Sequence, residues 1–436
     1  MLDIEYIRNN PQWMQQVVDD KGEEVSISEL LQCDEERREV LQQVQDLRTR
    51  RNQISQQMKN LAHLSAEEKQ HYIDQGKELK QTLHTQEQTL QDLEERFQSL
   101  MAQVPNTYSE DTPIGFSEDD NHVLTQVGDL PRFSFSPKTH WQIGQEKHLI
   151  DTETSAEISG SRFAYLKGEV VRMQFGLIQW VFQTLSNPNV LQEIADSRHL
   201  SIKVTPFIPV VPPVMMRPEI MDKMGRLHPM EDRYQTKQDG LMLVGSAEHT
   251  LGPMHMDTVF QHSDLPLRYV GYSTAFRREA GSYGKDMQGI FRLHQFDKLE
   301  IETFVTHDKG REEQEFITAI QEYLLQQLNL PYQVVLKCSG DMGKPNRRAV
   351  DMETWMPGQN QYRETHTSDY MADYQARRLN IRYKDLTGDK YYVHMNDATV
   401  FALGRILIAL IENNQTSDGQ IYVPEVLIPF LGKRSF

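Results

Sequence analysis

Cysteine is nearly absent: the 436 residues include only Cys33 and Cys338. So sparse a supply forms neither a CxxC motif nor a disulfide framework, and it fits a reducing compartment. No run of eighteen apolar residues occurs, so no membrane-spanning helix is expected. The opening MLDIEYIRNN lacks the basic stretch and apolar core of a secretory signal. A cytoplasmic location is therefore the expectation. Neither GxGxxG nor GxxxxGKS/T occurs, which argues against Rossmann and P-loop nucleotide sites. Positive charge is also in deficit, with 46 Lys and Arg against 63 Asp and Glu, a net charge of −17. On charge alone a nucleic-acid partner is disfavoured, because phosphate binding calls for basic surface.

What is present divides unevenly along the chain. Residues 34–103 are rich in Gln, Glu, Lys, Arg and Leu, with one Gly and no Pro. Val40, Val44, Leu47, Arg51, Ile54, Met58 and Leu61 alternate spacings of four and three. Tyr72, Gly76, Leu79, Leu83, Gln86, Leu90, Leu93, Phe97 and Leu100 repeat the pattern. This is a coiled-coil seam on two helices. They are joined by a short turn at 63–68, where Ser65 and Glu68 have capping-box spacing. Helices so connected run antiparallel and bury each other's seam, which argues against a coiled coil between two chains. Arg48, Arg50 and Arg51 lie together on the first helix. They fit either a solvated face or a contact with an RNA backbone. Residues 1–30 are expected to form a small helical base. The Asp-, Ser-, Gly- and Pro-rich stretch 109–121 is expected to be a linker. The domains are thus a helical one at 1–108, with its arm at about 34–103, and a larger one at 109–436.

In the larger domain, 168–185 reads as a helix. Residues 269–276, 290–300, 332–337 and 349–355 read as strands, and 400–413 as a buried helix. No regular βαβ rhythm appears, so the expectation is α+β, a mostly antiparallel sheet flanked by helices. Arg277 and Glu279 would share a face if the strand continued through them. An Arg there can clamp a phosphate and a Glu can accept from an amino group, although a cross-strand ion pair is the commoner meaning of such a pair. The Gly-rich loop 280–289 follows, with Lys285, and Phe296 offers a surface for a flat base.

The whole run FRREAGSYGKDMQGIFRLHQFDKLE, residues 276–300, resembles motif 2 of class II aminoacyl-tRNA synthetases, in the version of the seryl-tRNA synthetases. Val210-Val211-Pro212-Pro213 resembles motif 1, and the apolar segment with Arg405 resembles motif 3. YRE at 362–364, QARRLNIRY at 375–383 and YVPEVL at 422–427 resemble further segments of that family, so the likeness spans essentially the whole chain.

The resemblance implies a class II catalytic domain, a homodimer, and an enzyme that activates serine with ATP and Mg²⁺ and transfers it to tRNA(Ser). tRNA(Sec) is a second candidate acceptor, and the arm would grip the tRNA. The implied serine pocket is Ser246, Ala247, Glu248, Glu300 and Thr399. Carboxylates there suit a small substrate with an ammonium and a hydroxyl. Glu300 alone would equally fit an ion pair with Lys298. The implied ATP site is Arg277, Arg278, Glu279, Leu293, His294, Gln295, Phe296, Glu364, Thr365, His366, Thr367 and Arg405. Arg277 and Arg405 would act on the phosphates, and Glu364 and Thr367 are candidates for holding Mg²⁺.

Several positions depart from the family pattern. Ser246 stands for the usual threonine, and Glu364-Thr365-His366-Thr367 for EISS or EVSS, which introduces a histidine expected to titrate near neutrality. Either Asn396 or Asp397 takes the place of the asparagine before motif 3. The basic stretch 344–348 is either a surface loop or a contact with tRNA or ATP phosphates. Two alternatives remain: a paralogue that loads a small amino acid onto a non-tRNA acceptor, and an inactive homologue. The complete arm argues against the first, and Arg277, Glu279 and Arg405 argue against the second.

Overall fold

The structure is a computed structural model that describes residues 1–59, 65–280 and 288–436. Part of the arm's turn, with Leu61, His63 and Leu64, and most of the Gly-rich loop, with Gly281, Gly284 and Lys285, lie outside the described residues. The chain divides into two compact units, Met1–Pro105 and Asn106–Phe436.

The first unit is helical. Short helices Ile4–Asn9 and Pro11–Asp20 precede two long ones, Ile27–Lys59 and Ala66–Gln103. Asp3 caps the first helix by accepting from the Glu5 amide at 2.9 Å. At the start of the last helix the capping box forms as its spacing predicts. Ser65 Oγ accepts from the Glu68 amide at 3.2 Å, and the Ser65 amide donates to Glu68 Oε2 at 2.7 Å. The long helices pair through Val44, Leu83 and Leu90, with Val40, Leu41 and Leu47 packed against them. Toward the turn the seam thins, and Ile54, Met58, Tyr72 and Leu79 are only half-buried. Arg51, a seam position in the sequence pattern, is exposed, as are Arg48 and Arg50. Arg48 reaches across to Glu87 at 2.7 Å.

The second unit is built on an eight-stranded sheet. In chain order its strands are β1 (His122–Val127), β2 (Ile208–Val210), β3 (Leu267–Phe276), β4 (Gln295–Val305), β5 (Tyr332–Leu336), β6 (Arg348–Met356), β7 (Gln361–Ala372) and β8 (His394–Ala402). Their spatial order is β1-β5-β6-β7-β8-β4-β3-β2. Every pairing is antiparallel except the edge pair β2 with β3. Helices Glu169–Leu185, Gly310–Gln327 and Leu403–Asn413 join one face of the sheet in a single large apolar core. Leu299, Ile301, Ala398 and Val400 point into that core. Their sequence neighbours therefore turn to the opposite face.

Four expectations need correction. Residues 400–413 are not one helix: β8 runs to Ala402, and the helix begins at Leu403. The last three strand residues, Val400, Phe401 and Ala402, are apolar and run straight into the apolar helix, so composition does not mark the boundary. Strand β4 begins at Gln295 rather than Ile290. Arg277 to Glu279 lie beyond the end of β3, and Glu279 has a left-handed φ of 52°, so strand alternation does not govern them. The 109–121 stretch is not a free linker. Asp111 is held by Arg311 at 3.0 Å and Arg348 at 2.9 Å, and the Ser109 amide donates to the Arg347 carbonyl at 2.9 Å. The same contacts bury Arg348, so its charge serves packing rather than an open basic loop.

Candidate active site

Strand register assembles the site. Thr399 pairs with Glu300, Asp397 with both Glu302 and Asp369, and these side chains share the face away from the large core. Asp397, not Asn396, is thus the residue turned toward the cavity. Glu300 is buried at the back and heavily engaged. Its carboxylate accepts from Ser246 Oγ, forms an ion pair with Lys298 Nζ, and accepts from the Glu248 amide at 3.2 Å and from Thr399 Oγ1 at 3.5 Å. Lys298 Nζ also donates to Ser246 Oγ at 3.3 Å. Thr399 Oγ1 lies 3.1 Å from Thr367 Oγ1. Glu248 fronts this group. Its carboxylate lies 3.0 Å from Arg226 Nε, and Arg226 Nη2 donates to Asp397 at 3.0 Å.

Burial opposes a charge on Arg226, but the carboxylates of Glu248, Asp397 and Asp369 outweigh it and raise the guanidinium pKa further. Behind them, fully buried Glu302 is pushed well above the usual carboxylate range, by burial first and then by Asp397 and Glu248. Both effects favour its neutral, protonated form. His249 is driven well below its usual value by burial and by the guanidinium groups of Arg233, Arg226 and Arg277. Its neutral ring accepts from the Gly245 amide at 3.2 Å.

Arginines define the other part of the cavity. Arg277 Nε donates to the Gly245 carbonyl at 3.1 Å, and its guanidinium stands 5.5 Å over the Phe296 ring. Arg405 Nη1 donates to Glu364 Oε1 at 2.8 Å and to the Glu364 carbonyl at 3.1 Å. Phe291 is flanked by Arg363 at 3.7 Å and Arg405 at 4.6 Å. Burial pushes Glu364 up, yet Arg405, Lys337, Arg277 and Lys298 hold it below the usual carboxylate range. A spacing of three would place Glu364 and Thr367 on opposite faces of a regular strand. A bulge prevents this: Met352 pairs with His366 but Glu353 with Glu364, which leaves Thr365 extra. Glu364 and Thr367 therefore both line the cavity.

One cavity brings together ten of the residues singled out from sequence: Glu248, Arg277, Glu279, Leu293, Phe296, Glu364, Thr365, Thr367, Thr399 and Arg405. Others stand off it. Ser246, Ala247 and Glu300 form its buried backing. Arg278 lies 5.8 Å over the Tyr234 ring. His294 Nδ1 lies 3.0 Å from the Arg277 carbonyl, and Gln295 is exposed. His366 turns to the core face, with its ring 5.3 Å from Phe401 and Nδ1 2.8 Å from Thr365 Oγ1. Burial lowers its pKa to about 3, so it does not titrate near neutrality as sequence suggested. Sequence reasoning missed Arg226, Phe291, Arg292 and Asp369, all of which line the cavity, and placed Lys298 only as a partner of Glu300. Phe291 and Arg292 lie inside motif 2 and were within reach. Arg226 sits in an irregular segment and carries no motif signal.

Residues 231–414 match the profile of the tRNA synthetase class II core domain (G, H, P, S and T), so the second unit carries a class II synthetase core. Residues 1–108 match the seryl-tRNA synthetase N-terminal domain. A serine–tRNA ligase of Petrotoga mobilis is 37% identical over 436 residues, covering 99% of both chains. The crystal structure of seryl-tRNA synthetase from Pyrococcus horikoshii complexed with ATP aligns at TM-score 0.88 and 31% identity, over 100% of this chain and 99% of that one. The cytoplasmic serine–tRNA ligase of Naegleria fowleri in complex with AMP aligns at TM-score 0.81 and 26% identity, over 100% and 98%. The chain belongs to the seryl-tRNA synthetase family.

Proposed function

We propose that this chain is a serine–tRNA ligase that activates serine with ATP and transfers it to tRNA(Ser), with tRNA(Sec) as a second acceptor. The carrying observation is the joining, in one cavity, of Glu248 and Thr399 with the motif arginines Arg277 and Arg405. In the first step a serine carboxylate oxygen attacks the α-phosphorus of ATP, the bond to the β-phosphate oxygen breaks, and pyrophosphate leaves. Arg277 and Arg405 offset the charge on the phosphates. Glu248 accepts from the serine ammonium, and Thr399 orients its hydroxyl. Phe296 gives the base an aromatic surface. When bound, Mg²⁺ adds charge neutralisation to the triphosphate. Glu364 and Thr367, brought to one face by the bulge, would supply oxygen donors to it. In the second step a terminal ribose hydroxyl of the tRNA attacks the seryl carbonyl carbon, and AMP departs. No protein nucleophile takes part, and positioning carries the rate.

The domain assignment follows: 1–108 as the tRNA-binding domain and 109–436 as the catalytic domain, in a cytoplasmic homodimer. Strand β2 supports the dimer. It is an edge strand, with Ile208 50% exposed and Val211, just past its end, 77% exposed, and unpaired apolar edges favour a partner. The deciding experiment is ATP–pyrophosphate exchange across the twenty amino acids. Serine should drive it best, and preference for another amino acid overturns the substrate assignment.

A further inference from the structure

The ladder joining β3 to β4 ends at Phe276 and Gln295, and one further bond runs from the Arg277 amide to the His294 carbonyl at 3.0 Å. Beyond that point the limb bearing Glu279 leaves its partner strand, and its amides turn to a segment outside motif 2. The Arg278 amide donates to the Asp232 carbonyl at 3.1 Å, and the Glu279 amide donates to Asp232 Oδ1 at 2.8 Å. From another segment, Arg162 Nη1 donates to the Glu279 carbonyl at 3.2 Å, while the Arg162 carbonyl accepts from the His294 amide at 2.9 Å. Glu279 is thus held at both of its backbone polar groups, at a φ of 52°. A glutamate at positive φ is uncommon, and the conformation persists where the surroundings impose it. Asp232 is itself fixed. Its amide donates to the Pro229 carbonyl at 3.2 Å, and the neighbouring Arg233 Nε donates to the Arg226 carbonyl at 3.0 Å.

We propose that Asp232 is a positioning residue for adenylation: by accepting two consecutive amides it holds Glu279 at positive φ and so fixes the limb that carries Arg277 and Glu279 into the cavity. This deepens the ATP subsite assigned above and rests on it. Glu279 in turn accepts from Arg292 Nη1 at 2.7 Å, so the same turn sets three of the charged groups that line the cavity. The serine pocket has separate supports. Glu248 is held by Arg226, and Glu300 by Lys298 and Ser246. Loss of the Asp232 carboxylate should therefore loosen the nucleotide side alone.

The test is serine-dependent ATP–pyrophosphate exchange by the full-length protein, with ATP and serine titrated separately and the melting temperature read on the same sample. Asp232→Ala removes Oδ1 and leaves the backbone carbonyl. KM for ATP should rise by about tenfold, the worth of an anchoring acceptor lost from a polar donor, while KM for serine stays within about twofold. By charge alone the change runs the other way, since removing a carboxylate this close to a phosphate site favours ATP. Asp232→Asn removes the same charge but keeps the Oδ1 acceptor, and should return KM for ATP to within about threefold of wild type. Arg162→Met loosens the turn from its carbonyl side and should likewise raise KM for ATP and not KM for serine, which keeps the proposal open to refutation if Asp232→Ala melts too low to assay. An unchanged KM for ATP in folded Asp232→Ala, equal rises for ATP and serine, or an Asn variant as impaired as the Ala variant overturns the role of Asp232. Wild-type protein that exchanges with another amino acid and not with serine overturns the serine assignment alone. Wild-type protein that exchanges with none of the twenty overturns the adenylation reading and this role with it.

Discussion

Replacing Arg405 separates catalytic from structural worth, because its contacts are modest and its position is not. The Arg405 side chain is 20% exposed and that of its partner Glu364 is 43% exposed. An ion pair this open contributes at most about 1 kcal/mol to stability. Its place over Phe291 adds about 0.5–1 kcal/mol. Arg405→Met also keeps much of the aliphatic packing. The expected loss of stability is therefore about 1–2 kcal/mol, which moves the melting temperature by only a few degrees. The expected catalytic loss is larger. A preorganised cation aimed at developing phosphate charge is worth about 2.7–4 kcal/mol, or about 10²–10³ in kcat. Arg405→Lys should recover only part of this, since an ammonium neither stacks on Phe291 nor presents a planar fork. Serine-dependent exchange and differential scanning fluorimetry read the two quantities on one sample. Exchange within tenfold of wild type, or a fall in melting temperature large enough to explain the loss, refutes the reasoning.

Three further outcomes follow from other parts of the molecule. Arg268 and Glu313 form a fully buried bidentate pair at 2.7 and 2.6 Å, so Arg268→Met, which strands the carboxylate, should cost about 3–5 kcal/mol in a urea titration. His366 has its folded pKa lowered to about 3 against 6.5, so the unfolded chain alone takes up its proton as pH falls below 6.5. Its stabilising contribution is complete above that pH and is lost on acidification toward 3, at about 1.4 kcal/mol per pH unit, a slope that should be shallower in His366→Gln. Reversing the exposed Arg48, Arg50 and Arg51 to Glu should raise KM for tRNA and flatten its salt dependence while leaving amino-acid-dependent exchange intact; unaltered charging would assign those arginines to a solvated face.

Local features were legible and register was not. The capping box at Ser65 and Glu68 and the seam around Val44, Leu83 and Leu90 depend on residues three to seven apart, which a sequence displays directly. The contiguous motif 2 is equally visible. In contrast, the meeting of Asp369, Asp397 and Glu302 depends on three strands pairing across long separations. Nothing local announces that row, because its strands mix polar and apolar residues without a clean alternation, and only their register shows which carboxylates meet. The bulge at Thr365 is a similar case. From sequence, Glu364 and Thr367 could be placed together only through resemblance; the pairing of β6 with β7 supplies the physical reason. Arg226 is the extreme example, since its partners Glu248 and Asp397 lie 22 and 171 residues away.

The net charge of −17 misled because it sums over a surface that the chemistry does not use. The cavity is lined by Arg226, Arg277, Arg292, Lys298 and Arg405 against Glu248, Glu279, Glu364 and Asp369, so it is close to balanced while the chain is strongly acidic. Four of these five cations are already paired: Arg226 with Glu248 and Asp397, Arg292 with Glu279, Lys298 with Glu300, and Arg405 with Glu364. Pairing is what lets charged groups persist where water is scarce, since an unmatched buried charge is costly. Arg277 is the exception. Among the described residues it forms no ion pair and is held only by the Gly245 carbonyl and the Phe296 ring. An arriving anion therefore meets one guanidinium that, among the described residues, has no ion-pair partner, beside neighbours that are paired. A single unmatched charge at the cavity wall selects where a phosphate settles more sharply than a diffuse basic surface would.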